Sequence, residues 1–243
     1  MFREIKEKLK QFEARKPFDR EIIGEIEALN ATDWAYSCLN LSGSQITKET
    51  VSRIVSGKFV IEATVEEHSL IERHEDTLKE AISLLEMDND LTESVFRRLC
   101  GKLMPEGEFE YRRGNPVILT FGFNPVYSKD IQVEIKELFR WLYSDDASSE
   151  INKNEILKAA YLHNRFIEIY PFEEFTEEMA SVVMYYYLMQ KGYPPFAIRF
   201  SQQEYYRSVS AYLKKNDIAP FYNSIERSIY NKMEVLLQMT SPL

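Results

Sequence analysis

Between His163 and Glu178 the chain gathers the side chains best suited to chemistry: His163, Tyr170, Glu173, Glu174, Glu177 and Glu178, set around Pro171 and Phe172. Carboxylates at this density suit a hard divalent cation such as Mg²⁺ or Mn²⁺. Proton transfer is less well served. Imidazole titrates near about 6.5 and a phenol near about 10, so Tyr170 is almost wholly protonated at neutral pH. It needs a strong cationic neighbour to act as a base, and none adjoins it in the sequence. As a structural residue Tyr170 needs only an apolar slot and a hydrogen-bond partner, which is the favoured reading. Glu177 and Glu178 fall on the first turn of an expected helix, where negative charge is favourable. The same charges repel a triphosphate, by an amount on the order of several kcal/mol at short range and poor solvation.

Other sources of chemistry are missing. There is no P-loop and no G-x-S-x-G, and neither Cys38 nor Cys100 lies close in sequence to a histidine. Two cysteines are too few for a disulfide framework and are read as buried thiols in a reducing compartment. His68 and His74 are six apart, the wrong spacing for a helical metal pair, and are read as surface residues. His163 is read as a core or supporting histidine. A net charge of −9 argues against nucleic acid, which needs a basic surface. Hydrophobic residues make up 44% and charged residues 28%, a globular balance. The first residues are charged and amphipathic, unlike a signal peptide, and the apolar stretches fall short of the roughly 20 residues a membrane span needs. The expectation is a cytoplasmic protein without membrane contact.

The elements that position these residues are mostly helices. Residues 2–14 and 20–30 read as short amphipathic segments. Thr47 caps a helix running to about Ser56, with Gly57 as its C-terminal stop. Residues 64–87 form a long charged helix with Leu70, Ile71, Leu78, Ile82 and Leu85 on one stripe. Another helix runs from Thr92 to Leu103, stopped by Pro105 and Gly107. Val117–Phe121 favours a strand, so 116–126 reads as a hairpin or extended flap. Helices resume at 130–144, 152–169, 177–191, 202–215 and 219–238. The tyrosines at 185–187 and 205–206 read as core and rim.

The segment Tyr170-Pro171-Phe172-Glu173-Glu174-Phe175-Thr176-Glu177-Glu178 resembles the signature of the Fic (Fido) family, H-P-F-x-D/E-G-N-G-R. Pro171, Phe172 and the acidic Glu174 match. Tyr170 replaces the His, Phe175 the first Gly, Thr176 the Asn, Glu177 the second Gly and Glu178 the Arg; the family's second Arg falls on Ser181. The likeness extends to Ala160-x-x-His163-x-x-Phe166 on the preceding helix, to Tyr111-Arg-Arg-Gly114-Asn115-Pro116-Val117 leading into the flap, and to Gly192-Tyr-Pro194-Pro195 and Tyr205-Tyr206 downstream. Tyr36–Thr47 is similar to the segment carrying the family's inhibitory Glu, with Ser42 at that position.

The resemblance implies a mainly α, Fic-like bundle with one small β-hairpin flap. It implies a single domain: a helical extension over 1–33, a core over about 34–225 and a C-terminal helix to about 238. In the family the loop His activates a target hydroxyl that attacks a nucleotide's α-phosphate, the G-N-G-R backbone cradles the phosphates, and the acid holds Mg²⁺. Here the packing residues remain and the chemical ones are gone. Phe175 and Glu177 are expected to resist the positive φ that glycine permits, and Glu174 reads as a solvated acid. The favoured function is a catalytically inactive module that binds a protein partner through the flap, with no cofactor. The alternative is a transferase using ATP and Mg²⁺ with a remodelled site built on Glu174, Glu177, Glu178 and Tyr170. The sequence leaves the oligomeric state open.

Overall fold

Most helix starts are written in the sequence as capping side chains, which satisfy backbone N–H groups that a helix leaves unpaired. Asp19, Thr47, Thr92 and Asn154 each accept from a backbone N–H three residues on, and Thr64 with Glu67 and Ser201 with Glu204 form reciprocal capping boxes. The computed structural model describes residues 1–105, 109–145 and 148–241. Its helices are α1 (Phe2–Glu13), α2 (Arg20–Leu41), α3 (Lys48–Val55), α4 (Val65–Glu86), α5 (Glu93–Leu103), α6 (Ile131–Tyr143), α7 (Ser149–Asn152), α8 (Glu155–Ile169), α9 (Thr176–Gln190), α10 (Gln202–Lys215) and α11 (Ala219–Met239). A single 3₁₀ turn, Ser128–Asp130, leads into α6. No helix is long and apolar enough to cross a membrane.

The core is organised around α9. Every residue from Met179 to Leu188 is buried, so this helix has no solvent face and lies inside a sheath that includes α2, α4, α5 and α8. The three adjacent tyrosines of α9 are core residues. The Tyr185 ring packs on Trp34 at 5.2 Å and its hydroxyl donates to the Phe196 carbonyl, while the Tyr186 hydroxyl donates to the Asn89 carbonyl at 2.7 Å. Both cysteines are free and buried.

Four expectations need correction. First, α2 does not end near residue 30 but runs to Leu41, crossing the expected boundary at 33–34. The polar Thr32 and Asp33 that look like a break are satisfied inside the bundle. Thr32 Oγ1 donates to the Ala28 carbonyl at 2.8 Å, and buried Asp33 pairs with Lys232 at 2.8 Å and with Lys48. Second, His74 is fully buried rather than on the surface, and Ile82 is exposed. The inner stripe of α4 is Ile71, His74, Leu78 and Ala81, with burial holding His74 neutral down to about 3. Third, the helix expected over 152–169 is interrupted: α7 stops at Asn152 and Asn154 caps a fresh start for α8.

Fourth, the flap is not a β-hairpin. Among the described residues there is no strand, only one antiparallel bridge between Ile118 and Phe123. Two isolated strands are marginal without a face to pack on. Here tertiary anchoring replaces the ladder: the Phe121 ring meets Tyr206 at 5.4 Å, and Ser210 of α10 donates to the Phe121 carbonyl at 3.2 Å. Gly122 takes a positive φ of 64° to close the turn. Gly107 lies outside the described residues.

Phe166 and Phe172 are buried in one aromatic cluster. Phe96 contacts both, and Phe172 also meets Phe109 and Tyr111, with centroid separations between 5.7 and 6.1 Å. Truncating a buried Phe to Ala costs about 3–5 kcal/mol. Phe172→Ala is therefore expected to lower the melting temperature by on the order of 10 °C in a chain of this size, as read by calorimetry or circular dichroism.

Candidate functional site

The site lies on the link from α8 to α9, and its backbone is set by two residues in the left-handed region. Tyr170 ends α8 at φ 49°, ψ 66°, and Phe175 precedes α9 at φ 63°, ψ 9°. The second overturns the expectation that Phe175 refuses positive φ. A non-glycine residue can be held there when its surroundings over-determine it. Thr176 is part of that hold: buried, it accepts from the Phe172 N–H at 3.1 Å and donates to the Phe172 carbonyl at 2.9 Å, closing the loop on itself. Arg73 of α4 covers the Phe175 ring at 5.8 Å. Glu177 does not take positive φ; it is the second residue of α9.

The other hold is Arg112. This buried guanidinium donates to the carbonyls of Tyr170 at 2.6 Å, Ile169 at 3.2 Å, Gly114 at 2.6 Å and Val126, while its own backbone N–H donates to the Pro171 carbonyl at 2.9 Å. One side chain thus ties both ends of the flap to the end of α8. The positive charge complements the carbonyl end of that helix. Burial holds the Arg112 pKa below its usual value, with Tyr170 acting in the opposite sense.

Glu177 and Glu178 occupy the helix start itself. Their own backbone N–H groups favour the ionised form of both, and Ser42 at the end of α2, whose hydroxyl donates to the Leu39 carbonyl at 3.0 Å, lies close enough to act on Glu178 in the same sense. Burial raises both pKa values, to about 7 for Glu177, with repulsion from Glu178 adding to it. Around this pair stand Tyr170, Tyr205 and Tyr206, and Gln202 donates to the Tyr206 hydroxyl at 2.7 Å. Burial first, then the two glutamates, push the Tyr170 phenol well above its ordinary range; the opposing effect of Arg112 is small. Tyr170 is therefore a neutral hydrogen-bonding group and not a base at neutral pH.

Ser181, one turn along α9, is buried and donates back to the Glu177 carbonyl at 3.1 Å. Glu174 is exposed and lines a different space, a cleft of about 580 Å³ between Tyr111–Arg113 and Phe172–Phe175, which neither Glu177 nor Glu178 lines. Among the described residues no group of three His, Cys, Asp or Glu side chains converges as a metal site. Glu174 still stands close enough for its charge to help raise the Glu178 pKa. His163 is fully buried against the Phe221 ring at 4.4 Å, with its Nε2 3.4 Å from the Tyr205 hydroxyl. Of the flap residues, Gly114, Asn115, Pro116 and Val117 are all exposed, and Asn115 Oδ1 accepts from the Ser128 N–H at 2.7 Å. Sequence reasoning missed Arg112, whose sole signal was the Tyr-Arg-x-Gly spacing, and missed the meeting of Ser42 with Glu178 across 136 residues.

This arrangement, a helix pair joined by a loop under a flap, is the fold of Fic domain proteins. A Fic domain signaling protein from Bacteroides thetaiotaomicron superposes with a TM-score of 0.78 at 19% identity, covering 97% of each chain. Fic-1 from C. elegans superposes with a TM-score of 0.77 at 18% identity, covering 98% of this chain and 70% of that one. In sequence the chain is similar to the protein adenylyltransferase Fic of Drosophila persimilis, 24% identical over 86% of this chain and 41% of that protein. It is 25% identical to the Fic adenylyltransferase of Nematostella vectensis, over 83% of this chain and 47% of that protein. No family model matches the chain. The chain spans less than half the length of these curated relatives. The chain thus has a Fic-like fold and is similar in sequence to Fic adenylyltransferases.

Two outcomes follow from the site. A lysine carries one compact ammonium where Arg112 spreads a planar fork over four carbonyls. Arg112→Lys is expected to destabilise the chain by about 3 kcal/mol, measured by urea unfolding, because buried carbonyls lose charged donors. For Glu177 the folded pKa of about 7 lies above the unfolded value of 4.5, so the folded state holds a proton that the unfolded state releases. Its contribution is neutral below about pH 4.5 and turns unfavourable as pH rises to about 7, by up to roughly 3 kcal/mol. The stability gain of Glu177→Gln over the wild type is expected to grow across that window and level off above it. Taking this difference cancels the opposing effect of buried His74 and His163, which weaken the fold as pH falls below about 6.5.

Proposed function

We propose that this chain is a Fic-fold protein that has given up nucleotidyl transfer and acts as a binding or regulatory module. One observation carries the reading: Glu177 and Glu178 stand on the first turn of α9, beside the backbone N–H groups that open that helix. A helix start of this kind is an anion site because its N–H groups and dipole face outward. Here the chain places two carboxyl groups of its own on that turn, and they are covalently attached. A polyphosphate entering this space would meet their bulk and, wherever they are ionised, like charge. The group at the head of the loop, Tyr170, lacks the basicity to deprotonate a target hydroxyl.

The partner we assign is an extended polypeptide lying along the flap. Val117 and Leu119 project into solvent with 58% and 86% of their surface exposed, while Ile118 and Phe121 anchor the segment from below. Leu119 sits on the turn over 119–122 and Val117 on the stretch leading into it; strand addition beside that stretch would let main-chain hydrogen bonds bind the partner and the outward apolar side chains select it. Arg112 fixes both ends of this segment, at Gly114 and Val126, so little ordering remains to be done on binding.

A second reading is favoured by the names of the relatives: adenylyl transfer by a rebuilt site. Isothermal calorimetry with Mg-ATP, together with a self-modification assay using labelled ATP, separates the two. The expected outcome is no binding at millimolar nucleotide and no incorporated label. A micromolar dissociation constant or a labelled protein would select transfer. Tyr170→His alone is expected to create no activity. Restoring nucleotide binding is expected to require Phe175→Gly, Thr176→Asn, Glu177→Gly and Glu178→Arg together with Tyr170→His.

A further inference from the structure

Away from the loop, the cleft between α10 and α11 collects positive charge that the chain does not use. Its volume is about 430 Å³ and it is lined by Arg199, Arg207 and Arg227. Among the described residues none of these three guanidiniums takes part in a hydrogen bond or ion pair with a carboxylate, although ion pairs engage many of the chain's other cations. The one acid in the cleft, Glu204, is already held by Ser201, through N–H at 2.8 Å and Oγ at 2.7 Å, and feels Arg207 only at longer range. Three arginines against one glutamate leave the lining at +2, in a chain whose net charge is −9.

The sequence arranges this by helical spacing. Asn223, Ser224, Arg227 and Asn231 recur at three- and four-residue steps, which puts them on one face of α11. Arg207 enters from α10 and Arg199 from the segment before it, where the Arg199 N–H bonds Ser228 Oγ at 3.4 Å. Asn223, Ser224 and Asn231 likewise have no hydrogen-bond partner among the described residues, so the cleft offers neutral donors beside the charged ones. A lone exposed arginine is simply solvated. Three arginines converging on one concave polar space, with amide and hydroxyl donors between them, match a tetrahedral oxyanion, which arginine forks bind in bidentate fashion. A charge of +2 balances a dianion.

We propose that this cleft binds a phosphate monoester. The volume admits a phosphorylated side chain or a phosphorylated sugar, and both present the same dianionic group. The assignment stands apart from the reading of the loop, because none of the cleft residues belongs to the α8–α9 link.

Calorimetric titration at physiological salt with inorganic phosphate, a hexose 6-phosphate and a phosphoserine peptide, with the unphosphorylated peptide as control, tests it. At least one organic phosphate is expected to bind with a dissociation constant below about 1 mM and more tightly than inorganic phosphate. Which one binds tighter identifies the source. The Arg199→Gln, Arg227→Gln double variant is expected to weaken binding by roughly tenfold or more while keeping the wild-type melting temperature, since both side chains are exposed. Arg207→Gln gives an independent check of the same loss. No heat with any of the three phosphates, equal binding by the unphosphorylated peptide, or undiminished binding by folded variants would overturn the proposal.

Discussion

The structure around the loop depends on one buried cation. Among the described residues Arg112 has no carboxylate partner; its charge is met by the carbonyl dipoles of Ile169, Tyr170, Gly114 and Val126. A buried charge is costly unless its donors are satisfied, and here the bonds run both to the adjoining Gly114 and to segments distant in sequence, at Val126 and at Ile169 and Tyr170. The end of α8, the start of the loop and both ends of the flap are consequently one mechanical unit. This explains how the flap keeps its course without a strand ladder, and how Tyr170 is held in a left-handed conformation that a tyrosine adopts at some cost.

On that frame the same backbone serves a different electrostatic purpose. Phe175 takes a left-handed turn that glycine would take freely, with Thr176 closing the loop beneath it and Arg73 over its ring. Carboxylates stand on the first turn of α9, and burial lifts their pKa values, with no cation among the causes acting on either to offset the desolvation. Ser42 eases this slightly, favouring the ionised form of Glu178. Burial thus disfavours charge at the loop, whereas the cleft between α10 and α11 keeps its charge open to solvent.

Much of this was legible in the residues themselves. Caps at Thr47, Thr64, Thr92 and Ser201 and the apolar runs between them determine where helices form, because those signals act within one turn of the chain. The burial of Phe166 and Phe172 on either side of the loop follows from the same local pattern. What tertiary structure alone decided is wherever a residue's state depends on a distant partner. Thr32 and Asp33 read as a break until Lys48 and Lys232 arrive to neutralise Asp33. His74 reads as polar surface until the packing of α4 turns it inward. Val117–Phe121 reads as a strand because β-propensity reports a preference for a half-buried pleated surface, and α10 supplies a different surface. Phe175 reads as incompatible with a positive φ because propensity prices the backbone alone, whereas the bonds of Thr176 and the neighbouring helices hold it there. Local sequence determines which elements exist; the sign and satisfaction of each charge are settled only when long-range packing chooses its neighbours.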